Sequence, residues 1–450
     1  MRRPKITAGI AALSSALLVV GLVLPNGASA TVPGVNAMIS ENYYNSGGGN
    51  SDSYRPYISA DGRFVAFDST ASNLVASDMN AKNDVFERNL ATGATSLVSI
   101  SSSGVQANDG SIVSAVSRTG RYVLFYSQAS NLVDGSTTDT TYAQLYLRDT
   151  TNNTTTLLSQ NSSGVTANNN VEGMDVSSDG RFVLFVSAAT NLGPTVTNSG
   201  SNLYMLDRVT NTFSILNKAT DGSLPNTTTW APYGHMSCDG SLVVFQSGAN
   251  LTGESTSNPI GIYLLDRRGS DRLTDVTIGS NSATLGANIS CSGDYIGFLS
   301  KATNLDTSIT DTSMNNYHAY AYNRVNGTFS VVDVSSSGTA GNLGVLYYPL
   351  TGEEQFMQLS DNGAAVFKSP ATNLASSATS GNNQIYFRNL NAGTTELLSA
   401  NSSGTEGNSE SKSPTIASDG ETGVYQSVAT NLVTSDTNGY QDLFSSETGL

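Results

Sequence analysis

Histidine and cysteine are nearly absent from this chain: His235 and His318, Cys238 and Cys291 are the only four in 450 residues, beside a single tryptophan, Trp230. A three-histidine metal site is therefore impossible. The sequence also lacks a Gly-x-Ser-x-Gly elbow, a His-Glu-x-x-His pair and a phosphate-binding loop, so the common catalytic signatures do not point to an enzyme. Positive charge is scarce, with 21 Lys and Arg against 36 Asp and Glu and a net charge of −15. A chain of that sign repels phosphate backbones and anionic membrane surfaces, which sets nucleic acid aside as a partner, and it favours solubility. No stretch after the N-terminus has the pattern of a long amphipathic helix, and no Pro-rich or Gly-rich linker breaks the chain into parts.

The one long apolar run is 6–24. Arg2, Arg3 and Lys5 precede it, and Pro25 and Ala28-Ser29-Ala30 follow. This is the pattern of a secretory signal over residues 1–30 with cleavage before Thr31, which predicts a secreted, cell-surface or periplasmic protein of one domain, 31–450. The run is long for a signal core, which leaves an uncleaved anchor as the alternative; no cysteine near the cleavage point suggests a lipoprotein. Cleavage would remove three basic residues and no acidic ones, taking the net charge from −15 to −18.

What fills the rest is repetition. Asn-Leu recurs at Asn73, Asn131, Asn191, Asn250, Asn304, Asn373 and Asn431, each ten or eleven residues after a turn glycine. Those glycines, Gly62, Gly120, Gly180, Gly240, Gly293, Gly363 and Gly420, lie 53 to 70 residues apart, the range of propeller blades. Within a unit the apolar residues alternate or form short aromatic and β-branched runs such as Phe64-Val65-Ala66-Phe67, which is strand patterning. Unit one divides into strands over 54–59, 64–69, 84–90 and 95–100, and four strands make a blade. Asp61-Gly62 and its repeats at Asp179, Asp239 and Asp419 suit a type I′ turn. The second hairpin carries Gly93, Asn153, Asn211, Gly269, Gly327, Gly393 and Gly449, the residues most tolerant of left-handed backbone. The seventh unit ends where its fourth strand should begin, and residues 35–41 match the fourth-strand pattern. The expected fold is an all-β, seven-bladed propeller of four-stranded antiparallel blades, closed by an N-terminal strand that completes the last blade and hides both edges.

The Ser-x-Asp-Gly turn, the aromatic second strand, Ala71-Ser72-Asn73-Leu74 and Phe86-x-Arg88, repeated as Ala189-Thr190-Asn191-Leu192 and Tyr204 to Asp207, resemble the TolB-type, WD-repeat-like β-propeller family of bacterial exported proteins over nearly all of 35–450. These motifs are structural, so the resemblance implies fold and export. TolB itself has six blades and an extra domain, and its role is not implied. Propeller oligogalacturonate lyases would require more histidines than this chain has.

Function is sought where the repeat is broken. The fourth-strand-to-next-blade connections and the second-to-third-strand loops share one loop-rich face, the expected binding surface. Trp230 and Tyr233 enter blade four there, suited to stack on sugar or grip an apolar side chain. Tyr347 and Tyr348 stand in an insertion before blade six. Tyr57, Ala115, Asp175, His235, Asn288, Gln358 and Thr415 occupy one phase of the first strands, which alternation points at the channel; Asp175 and His235 come from adjacent blades. Asp78, Asn80 and Asp84, and again Asp436, Asn438 and Asp442, gather oxygens in short loops and read either as calcium ligands or as Asx turns. Cys238 and Cys291 stand at the same phase of adjacent units and read either as a disulfide or as two free thiols. The expected role is that of a monomeric, non-catalytic module recognising a protein or a cell-surface glycan. The alternative is a polysaccharide-acting lyase or glycosidase using Asp175, Glu172, Tyr233 and Tyr57.

Overall fold

A computed structural model describes residues 35–133, 141–198, 200–225, 232–254, 260–308, 316–345 and 355–450. Residues 1–30, Trp230, Tyr347 and Tyr348 lie outside that set. The described strands form seven four-stranded antiparallel sheets, each running in chain order. Blade I consists of β2 (Ser53–Ile58), β3 (Phe64–Ser69), β4 (Asp84–Asn89) and β5 (Ala94–Leu97). Blades II to VI repeat this over 111–157, 171–215, 234–275, 284–331 and 357–397.

Blade VII is the exception in connectivity. Its strands β26 (Ser411–Ile416), β27 (Thr422–Ser427) and β28 (Asp442–Glu447) are completed by β1 (Asn36–Met38), which pairs Asn36 with Ser446 and Met38 with Phe444. The seam is reinforced beyond the strand. Ile39 N–H donates to the Leu443 carbonyl at 2.7 Å, Ser40 Oγ donates to Asp442 Oδ1 at 2.6 Å, and the buried Tyr425 hydroxyl donates to Asn36 Oδ1 at 2.8 Å.

Each recurring motif has a packing role. An aromatic pair spans the second and third strands of every blade, stacked in six, as Phe185 on Tyr204 at 5.2 Å, and tilted in blade VII, and such pairs add about 0.5–1.5 kcal/mol to the burial of their area. In five blades the third-strand tyrosine also donates to an alanine carbonyl just before Asn-Leu, for example Tyr386 to Ala371 at 2.7 Å. The asparagine of Asn-Leu accepts the N–H of a second asparagine about 23 residues earlier: Asn131 from Asn108 at 2.9 Å, Asn431 from Asn408 at 2.8 Å. That second asparagine returns a bond to the residue before Asn-Leu, so two loops of a blade are clamped reciprocally. Blade IV departs, because Asn250 turns instead to the Glu254 carbonyl.

The Asp-Gly hairpins are not type I′ turns. Only the glycine has positive φ, 71° at Gly62 and 71° at Gly180; the preceding aspartates are not in the left-handed region. Gly62 N–H bonds the Ser59 carbonyl, and the aspartate instead accepts the serine hydroxyl, which in turn accepts the next strand's N–H. The aspartate is thus selected for its acceptor oxygens, not for backbone tolerance.

These hairpins meet around the axis. Asp61 N–H reaches the Arg118 carbonyl, Ser178 the Cys238 carbonyl, Cys238 the Cys291 carbonyl, Asp361 the Ser418 carbonyl and Ser418 the Ala60 carbonyl, all at 2.7–3.0 Å. Cys238 and Cys291 are joined there with a Cα separation of 4.7 Å, and Arg118 of blade II reaches Cys291 Sγ of blade V. Replacing both cysteines by serine is expected to lower the unfolding free energy by about 2–4 kcal/mol in a denaturant titration. Two reactive thiols in the unfolded, unreduced wild type would contradict the bridge.

Candidate functional site

Opposite the hairpins lies the loop-rich face, where first strands begin and second strands end. A first-strand irregularity sets which residues appear there. In blades I, II, III, V and VII the pairing shifts by one residue, a β-bulge. In β10 (Val171–Val176) the shift falls between Gly173 and Asp175, so Glu172 opposes Val186 and Asp175 opposes Leu184 of β11 (Phe182–Ser187). Three positions apart, the two acids therefore share one side of the sheet, where simple alternation would separate them.

Glu172 lines a cavity of about 400 Å³ with Tyr126, Asn169, Asn170, Ser187, Ser201 and Tyr233. Tyr126 comes from β7 (Tyr122–Ser127) of blade II, and Tyr233 immediately precedes β14 (Gly234–Met236) of blade IV. Three blades thus contribute to one wall. The Tyr233 hydroxyl donates to Glu172 Oε2 at 3.2 Å. Burial raises the Glu172 carboxyl above the usual range, opposed by the Tyr233 bond and the Arg55 charge. Burial also raises the Tyr126 phenol, with the Glu172 charge adding to it, and pushes Tyr57 up to about 12 against the Gln355 hydrogen bond and Arg55.

Arg55 and Tyr126 are members of this group that pattern reading did not single out. Arg55 sits in the blade I bulge with φ of 49°, and its guanidinium grips the fully buried Asp68 through Nε and Nη2, both at 2.8 Å. Tyr126 carries no distinguishing signal, since its strand position is polar in four other blades as well, at Asp68, Gln246, Lys368 and Gln426.

The channel positions taken from alternation divide. Asp175 and His235 do meet, His235 Nδ1 lying 3.0 Å from Asp175 Oδ2, but the same oxygen also accepts the Met236 N–H at 2.9 Å. Gln358 does the corresponding work in blade VI, accepting the Ile416 N–H at 2.8 Å. Ala115, Asn288 and Thr415 are 2%, 4% and 1% exposed and so do not wet a channel. These positions keep one register against the second strand in bulged and unbulged blades alike, Ala115 against Leu124 and His235 against Val244, and the first strands of adjacent blades pack on one another there. His318 is likewise internal, with Nδ1 2.8 Å from Asp333 Oδ2.

The two oxygen-rich loops differ. In blade I, Gln106 Nε2 donates to both Asp78 Oδ1 at 2.8 Å and Asp84 Oδ2 at 3.0 Å, while Asn80 Nδ2 bonds the Ala107 carbonyl. In blade VII, Asn438 Nδ2 bonds Asp442 Oδ2 at 2.7 Å and the Gly49 carbonyl at 3.0 Å, and Asp436 Oδ1 is buried without a partner among the described residues. No group of three or more His, Cys, Asp or Glu with metal-binding geometry occurs among the described residues.

No family model and no curated protein match the chain. Among solved structures it is similar to an oligogalacturonate lyase in complex with manganese, with a TM-score of 0.53, 11% identity and coverage of 90% of this chain and 94% of that one. Others are TolB from Acinetobacter baumannii, TM-score 0.41, 13% identity, covering 77% of this chain and 62% of that one, and the β-propeller domain of the Trilobed protease from Pyrococcus furiosus, TM-score 0.49, 12% identity, covering 88% and 95%. At these identities the likeness is one of fold.

Proposed function

We propose that the protein is an exported, non-catalytic recognition module that binds a neutral or cationic glycan of the cell surface in the Tyr126–Glu172–Tyr233 cavity. The observation that carries this reading is the meeting of three blades on one concave wall of two tyrosines, a carboxylate, two asparagines and two serines. Such a wall offers ring faces for stacking and paired donors and acceptors for sugar hydroxyls, at a volume within the small-ligand range. The net charge of −15 and the buried Glu172 disfavour a polyuronate, which would bring further negative charge to the same wall.

Catalysis is not favoured by the acid groups. Glycoside hydrolysis commonly takes two carboxyls flanking the bond. Glu172 is the one acid on the cavity wall, and Asp175 is engaged by the Met236 N–H and His235. One feature does speak for the rival enzyme reading: a carboxyl raised by burial is suited to general acid work.

A glycan array followed by titration calorimetry on the best sugar tests the proposal. Glu172→Gln and Tyr233→Phe each remove one polar contact, and each is expected to weaken binding about tenfold, the worth of roughly 1.4 kcal/mol. Trp230→Ala, three positions before Tyr233, is the third variant. Affinities within twofold of wild type for both Glu172→Gln and Tyr233→Phe would place the ligand elsewhere. Cleavage of the bound sugar, abolished by Glu172→Gln, would replace the module with an enzyme.

A further inference from the structure

Blades I and VII carry the same loop, and the comparison exposes an unmet demand at the ring seam. Asp78, Asn80 and Asp84 correspond to Asp436, Asn438 and Asp442, and both asparagines donate to the loop that enters the next blade, at the Ala107 and Gly49 carbonyls. In blade I the residue bridged to Ile100 is Gln106, whose amide neutralises both acids by donating to each. In blade VII the residue in that place, bridged to Glu41, is Gly48. No side chain fits there, because a Cβ on Gly48 would stand 2.1 Å from Asn438 Nδ2 and 2.8 Å from Asp442 Oδ2.

The consequence is that Asp436 lacks the donor that Asp78 has, while Asp442 keeps Ser40 and Asn438. Asp436 is 6% exposed and its Oδ1 has no partner among the described residues. Asp442 is fully buried, with Ser40 and Asn438 as its side-chain donors, and the charges of Asp436 and Asp52 both act unfavourably on it. Among the described residues no Lys or Arg forms a salt bridge with Asp52, Asp436 or Asp442. An unpartnered buried carboxylate oxygen costs several kcal/mol, so such sites are commonly completed by a cation.

We propose that Asp436 and Asp442, with oxygens of the Gly48 and Asn438 loops and water, bind a hard divalent cation of calcium type in the place that the Gln106 amide takes in blade I. Hard oxygen donors, two of them anionic, are the set such an ion takes, and the loop-borne ligands suit its flexible coordination. Because Asp442 also holds Ser40 and lies on the strand that β1 completes, the ion would pin the N-terminal segment to the last blade. The site is separate from the glycan cavity and does not depend on it.

The test uses the full exported chain and calcium chloride alone. Calcium at about 5 mM against chelator is expected to raise the melting temperature by about 1–3 degrees, as ligand linkage requires for an affinity typical of extracellular modules. Terbium is expected to give luminescence sensitised by tyrosine. The isosteric Asp436→Asn should abolish both signals, whereas Asp78→Asn in blade I should leave them unchanged. Absence of any shift or luminescence in the wild type overturns the proposal. So does a calcium effect that survives in Asp436→Asn or disappears in Asp78→Asn.

Discussion

A chain in which residues 35–41 are removed behind the export signal is expected to lose its cooperative melt, or to melt more than ten degrees below wild type and aggregate. The deletion strips β28 of its outer partner, leaving Ser446, Ser445 and Phe444 on an open edge. It also removes Met38 and Ile39, 6% and 1% exposed, each worth about 1.5–3 kcal/mol of apolar burial. Asp442 loses the Ser40 hydroxyl, Tyr425 loses Asn36, and Arg88 loses Glu41. Each buried group left unsatisfied adds about 1–3 kcal/mol. Together these rival the 5–15 kcal/mol that holds an ordinary domain folded, and an unpaired edge invites association. Circular dichroism melts and light scattering provide the measurement. A melt within three degrees of wild type would mean that the ring does not need this strand.

Replacing Glu87 by leucine is expected to stabilise the protein, and to do so more at pH 8 than at pH 5. Glu87 lies on β4 opposite Ala66 and Ser96, is 7% exposed, and leaves Oε1 without a partner among the described residues. Burial alone pushes its carboxyl from 4.5 up to about 8. A raised acid holds its proton in the folded state over a range where the unfolded chain has released it. Folding is therefore unpenalised by this group below about pH 4.5, loses stability as pH rises towards 8, and carries the full penalty above it. The size of the shift corresponds to on the order of 4 kcal/mol. The difference in unfolding free energy between Glu87→Leu and wild type should widen by a few kcal/mol across that window in urea titrations. A difference that stays constant with pH would show that the Glu87 carboxyl titrates alike in the folded and the unfolded chain.

The cavity was only partly legible beforehand. Tyr233 and Glu172 stood out as a loop aromatic and an acid near the mouth, yet Tyr126 lies more than a hundred residues before Tyr233 and looks like one more strand aromatic. What unites them is a radial arrangement of three blades, which sequence distance does not encode. Asp175 shows the converse: a polar residue at a channel phase reads as chemistry, but its oxygen meets the Met236 N–H of the next blade. The same applies to Gln426 and Gln246, whose side-chain oxygens take the N–H groups of Arg55 and Gly286 in neighbouring blades.

Blade number, strand order, hairpin positions and the closing role of residues 35–41 could all be read from the chain, because each rests on chemistry within a few residues: the period of two, the left-handed tolerance of glycine and asparagine, and the length of a unit. The side taken by the residues that open a first strand could not, since a bulge of one residue puts Glu172 on the side of Asp175 and nothing local announces it. Nor could the difference between the Asp78 and Asp436 loops, which are alike in sequence. That difference lies in Gln106 and Gly48, supplied by distant segments, and folding alone brings a donor to Asp78 and withholds it from Asp436 Oδ1.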